Sequence, residues 1–158
     1  MRRTLLLALL PFLFIGCGKH PLLEETHYFN NQTWMRFEPE QYQFQIKNAD
    51  DCYDIRLRLR VDTTVFTANE LPLIIDLYNS NDEHRNFSVT ARVHNSNGTL
   101  NGTRLAQFVD IDVPAKKYFF FNSAGIQRIE VKQATSHYEL PGINALTVTV
   151  QTSDMSKK

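Results

Sequence analysis

Arg56, Arg58 and Arg60 occupy alternate positions of a run whose other members, Tyr53, Ile55, Leu57, Leu59 and Val61, are apolar. In an extended chain this spacing sets three guanidinium groups in a row on one face of a strand. Their forked donors suit an acidic protein surface, a lipid headgroup or an anionic glycan, so the row is a candidate partner-binding face. It equally fits a cross-strand ladder against Asp76, Asp110, Asp112 or Glu130, since an unpaired row of like charges repels itself. Asp110 and Asp112 also share a strand face, with side chains about 7 Å apart. Carboxylate catalysts use such a separation, although a solvated strand face needs no chemistry. Trp34, the single tryptophan, is a candidate aromatic contact for a sugar ring or else a core residue. The histidines at 20, 27, 84, 94 and 137 lack ligand spacing. His84 and His94 lie about 33 Å apart along an extended chain and meet only across a hairpin. No His-Glu-x-x-His, Gly-x-Ser-x-Gly, Cys-x-x-Cys or phosphate-binding glycine loop is present. The motifs therefore imply no catalytic residue, no metal and no cofactor.

The elements that must carry these residues are strands. Tyr42, Phe44 and Ile46 alternate with polar neighbours, as do Phe87, Val89, Ala91 and Val93, then Leu105, Val109, Ile111 and Val113, and last Leu146, Val148 and Val150. Period two marks strands with one buried face. Leu71–Tyr78, Tyr118–Phe121 and Ile126–Gln133 are less regular, and the first, apolar in part on both faces, belongs in the middle of a sheet. Asn79–Asp82, Asn97-Gly98, Asn101-Gly102, Pro114, Gly125 and Pro141-Gly142 supply turns. About eight short one-sided strands must cover one another, which predicts an all-β, two-sheet antiparallel sandwich, jelly-roll-like. With 17 basic and 17 acidic residues in 158, no excess of cations exists to neutralise phosphates, and nucleic-acid binding is excluded.

The amino terminus is a leader. Met1, Arg2 and Arg3 precede an apolar run, Leu5–Ile15, that is too short to cross a bilayer, which takes about 20 residues. The run ends in Phe14-Ile15-Gly16-Cys17, similar to the lipobox of bacterial lipoproteins, so cleavage is expected between Gly16 and Cys17 with acylation of Cys17. Residues 1–16 then form a signal peptide, 17–32 a lipidated tether, 33–152 the sandwich and 153–158 a tail. Loss of Arg2 and Arg3 leaves 15 cations against 17 acids, a mildly acidic mature protein anchored by its lipid rather than spanning the membrane. Cys52 is then left without a partner, and a half-buried structural thiol is its expected role. Gly18, Lys19, His20 and Pro21 follow the cysteine, and the first acid is Glu24. This places the protein at the periplasmic face of the outer membrane, with the cell surface as the alternative. Asp62-Thr63-Thr64 resembles a bacterial O-glycosylation signal, which makes Thr63 a possible acceptor.

Trp34, Phe37 and Pro39, then Tyr53, Ile55, Leu57, Leu59 and Arg60, an Asn-Gly loop at 97–98 or 101–102, Gly125, Ile129, Val131 and Gln133, and finally Leu140, Gly142 and Ile143 together resemble the GldH family of gliding-motility lipoproteins. The resemblance implies a non-enzymatic envelope protein, a structural or interaction component of a gliding or linked protein-secretion apparatus, whose partners are other envelope lipoproteins. The alternative on the same scaffold is a surface glycan-binding lipoprotein.

Overall fold

The computed structural model describes residues 20–154. The expected leader, with the expected cleavage and acylation positions Gly16 and Cys17, lies outside the described residues. Eight principal strands and three short ones make up the body. One sheet joins β1 (Leu23–Tyr28), β11 (Ile143–Thr152), β4 (Tyr53–Asp62), β8 (Phe108–Phe119) and the short β7 (Thr103–Leu105) in that order. The facing sheet joins β3 (Glu40–Ile46), β9 (Gly125–Gln133), β5 (Glu70–Tyr78) and β6 (His84–Arg92). β2 (Thr33–Met35) and β10 (Glu139–Pro141) pair separately and close one end. All pairings are antiparallel. The chain passes back and forth between the sheets so that first and last principal strands are neighbours, the winding of a jelly roll.

Period two is the cause of the layering. Ile55, Leu57, Leu59 and Val61 of β4 are at most 1% exposed, and Leu73, Ile75, Ile129 and Val131 meet them from the other sheet. The open sides are bridged by polar and aromatic contacts. His27 Nδ1 lies 3.0 Å from Glu40 Oε2 between β1 and β3, while Lys116 sits over the Phe87 ring and Arg85 over Phe119 between β8 and β6. Such cation–π contacts cover edges that would otherwise offer unpaired backbone. As its sequence predicts, β5 lies between β9 and β6.

Three boundaries differ from the sequence expectation. The segment 17–32, expected as a tether, contains β1, which pairs with β11 along its whole length. Only Leu23 of its six residues is buried, so an edge strand with one apolar position shows no alternation. The body also extends to Ser153, whose N–H donates to the Cys52 carbonyl and whose hydroxyl donates to Asp54 Oδ1. Pro114, expected as a break, lies inside β8 opposite Arg56. There β8 has passed the end of β7 and is an edge, where a missing N–H is tolerated. Cys52 is buried rather than half-buried.

Candidate functional site

The outer face of the β1–β11–β4–β8 sheet gathers the arginines of β4 with side chains of its neighbours. Register places Arg58 opposite Asp112 and Arg60 opposite Asp110 on β8. Arg60 donates from Nε and a terminal nitrogen to the two Asp110 oxygens at 2.7 and 2.8 Å, and Arg58 donates through Nε to Asp112 at 2.8 Å. The forked bond to Arg60 holds the Asp110 carboxyl below its ordinary range, and both guanidinium groups are pushed up by their carboxylates. The ladder therefore forms, but from two rungs. Asp76 and Glu130, also considered as rungs, belong to the other sheet. Asp76 accepts from Lys132 Nζ at 2.8 Å and lies 2.6 Å from His84 Nε2. Burial raises the Asp76 pKa, but the Lys132 and His84 contacts outweigh it and leave the carboxyl low.

Arg56 is the exception in its row. Its nearest carboxylate is Asp54 at 4.0 Å, and half its side chain is exposed. Here the sheet hollows into a groove of about 450 Å³. Arg56, Arg58, Asp112 and Lys117 line one wall, Glu24 and Pro21 the other, with Thr147, Thr149 and Gln151 between them. A second, smaller hollow continues along the same face past Thr26, Arg60 and Asp110. Thr147, Thr149 and Gln151 follow from the sequence only as the polar face of the last strand, and Lys117 was not singled out at all. Alternation gives the strand position of the three but not the neighbours that make them part of a groove.

Trp34 does not serve as an exposed contact. It is fully buried, stacks on Phe29 at 4.9 Å and donates its indole N–H to the Glu38 carbonyl at 3.2 Å. The β2–β10 pair folds it over the end of the core, where its large apolar area is best used. Phe37 and Tyr138 are exposed at that end, with ring centroids 5.8 Å apart and Arg36 over Phe37. Thr63 is half-buried and its hydroxyl donates to the Gln107 carbonyl. Asp62 accepts from the Thr64 hydroxyl and N–H at 2.6 and 2.9 Å, which lowers its pKa and braces the turn. Asp110 and Asp112 are each committed to an arginine. His84 and His94 do not meet, and among the described residues no three His, Cys, Asp or Glu side chains gather as a metal site. Among them no helix is long and apolar enough to cross a membrane.

Fold and site define a jelly-roll domain that offers a grooved, charged sheet face. A family model described as GldH lipoprotein matches residues 22–150, most of the chain, and the protein belongs to the GldH lipoprotein family. No curated protein and no solved structure matches. Membership in a lipoprotein family points to membrane association through a lipid anchor.

Proposed function

We propose that this protein is a non-enzymatic interaction component of a gliding or linked protein-secretion apparatus. Cys17 carries the lipid after cleavage behind Gly16 and holds the domain at the periplasmic face of the outer membrane. The outer face bearing Arg56, Arg58 and Arg60 receives other envelope lipoproteins. The observation that carries this reading is the groove in that face. It is built mainly on the paired strands β11, β4 and β8, and Arg58 within it is held by Asp112 rather than directed at a reacting centre. An anchored domain with such a face meets partners in the same membrane at high effective concentration.

Photo-crosslinking from position 147, at the centre of the face, tests this in intact cells. Adducts with envelope lipoproteins are expected from position 147 and not from position 90 on the opposite sheet. Identical adducts from both, or none from 147, refute the face. Intact mass of the membrane-extracted protein tests acylation of Cys17 and, in the same spectrum, a glycan on Thr63, which would have to displace the bond to Gln107. The glycan-binding reading now rests on the exposed Phe37–Tyr138 pair instead of Trp34. Retention on envelope polysaccharide that Phe37→Ala abolishes would favour it.

A further inference from the structure

The end of the sandwich at which β1 begins carries an unusual display. Leu23 begins β1 opposite Val150, and Val150 pairs with Ile55, which in turn faces Lys116. Pro21 lines the groove, and four peptide steps separate it from Cys17, a reach of at most about 14 Å. At this end β8 leaves extended geometry. Tyr118 has φ 54 and its N–H donates to Asp54 Oδ1 at 3.1 Å. A tyrosine keeps a left-handed backbone only when its surroundings impose it, and Asp54, itself taken by the Ser153 hydroxyl, does so here. The consequence is a split of the aromatic run. Phe121 packs inward between Tyr53 and Phe44, with Phe119 against it, while Tyr118 and Phe120 stand 55% and 51% exposed.

Cations flank these rings. Lys117 shares the groove wall with Arg56 and has no ion-pair partner among the described residues, whereas Arg58 is occupied by Asp112. Amphipathic aromatic rings favour the headgroup layer of a bilayer, and each basic residue near an anionic membrane surface is worth about fivefold in binding. Of the acids at this end, Asp50, Asp51 and Asp82 lie in the 47–52 and 79–83 turns, Glu83 lines a hollow with Phe119 and Phe121, Asp54 lies 4.0 Å from Arg56, and Asp154 follows Ser153 beside Asp54. Glu24 faces Arg56 across the groove.

We infer that this end docks on a phospholipid bilayer, Tyr118 and Phe120 entering the headgroup layer while Arg56 and Lys117 take the phosphate of an anionic lipid at the end of the groove, which leaves Arg58, Arg60 and the face past Thr147 to partner proteins. Proximity to the bilayer rests on the proposed anchor, but the contact is tested without it. Residues 18–158 contain every described residue, including all of the buried core among them, and are used unacylated.

Co-sedimentation of this chain at low salt with vesicles of phosphatidylcholine alone, or with roughly 30% phosphatidylglycerol, reads the interaction. Binding at least about fivefold stronger to the anionic vesicles is expected. Arg56→Ala with Lys117→Ala should cut it about tenfold or more. Tyr118→Ser with Phe120→Ser should lower recovery with both vesicle types at an unchanged unfolding midpoint. Equal recovery with the two vesicles, or no effect of removing the two cations, overturns the inference. So does stabilisation by inorganic phosphate without vesicle capture, which would mark a free-anion site, or preference for polyglutamate over vesicles, which would mark an acidic protein partner. Failure of the anchor shows separately, as a processed protein without added acyl mass.

Discussion

The three arginines of β4 look alike in sequence, and a double-mutant cycle separates them. Arg60 and Asp110 form a two-pronged bond with side chains 35% and 13% exposed, while Arg58 and Asp112 form a single bond at 54% and 69%. Exposed ion pairs couple by about 0.2–1 kcal/mol, and Arg58–Asp112 should fall near the low end. The Arg60–Asp110 pair adds a second charge-assisted bond in a drier setting, so a coupling of about 1–2 kcal/mol is expected. Removing Arg60 alone should cost more than removing Asp112 alone, because Asp110 is left largely buried with its charge unmet. Arg56→Ala should cost less than about 0.5 kcal/mol, as befits a surface position without a bonded partner. Urea unfolding of the processed chain, followed by fluorescence of the single buried tryptophan, provides the values. Raising salt should weaken the Arg58 coupling and leave most of the Arg60 coupling, because screening reaches exposed pairs first. Equal couplings for the two pairs, or an Arg56 cost matching that of Arg60, would refute the assignment of Arg58 and Arg60 to the ladder and Arg56 to binding.

Other perturbations test other parts of the argument. Trp34→Ala should destabilise by about 3–5 kcal/mol through the cavity it leaves, measured by circular dichroism in denaturant. A loss below about 1 kcal/mol would mean the ring is not core. Gly142 has φ +86, and a Cβ there would stand 2.8 Å from the Phe66 backbone nitrogen and Cβ. Gly142→Ala should therefore cost about 2 kcal/mol or more in the unfolding midpoint. Asp76 and Asp110 have folded pKa values below their ordinary ones, so the stability they contribute is complete above the unfolded value of about 3.9 and drains away as pH falls through the folded values. Lys132 is shifted up by Asp76, and its contribution is lost only as pH rises through its folded pKa. Midpoints measured across pH should show a plateau at neutral pH with an acid fall that Asp76→Asn blunts. An acid fall unchanged by that substitution would remove Asp76 from the account.

Much of the architecture was legible in local pattern. Alternation in residues 53–62 and 146–150 identifies strands because side chains in an extended chain must point to opposite faces, and one-sided strands must find a second layer. The central place of β5 also followed, from apolar residues on both of its faces. β1 escaped notice because an edge strand with a single buried residue carries no periodic signal. The strand running through Pro114 escaped because whether proline is tolerated depends on which neighbour is missing there.

The candidate site divides along the same line. That Arg56, Arg58 and Arg60 share a face is a property of one strand, readable from spacing alone. Which of them is spoken for depends on register, since Asp110, Asp112, Asp76 and Glu130 look equivalent until pairing sends two to the same sheet and two to the other. Burial of Trp34 and exposure of Phe37, Tyr118 and Phe120 were likewise undecided by residue type, because a ring is inside or outside according to the turn that carries it. The amino-acid order by itself determined strands, their polar faces and membership of the family. Partnering, the groove and the cations left without a hydrogen-bonded carboxylate were decided only by tertiary structure, because charge and aromatic contacts depend on distances between residues far apart in the chain.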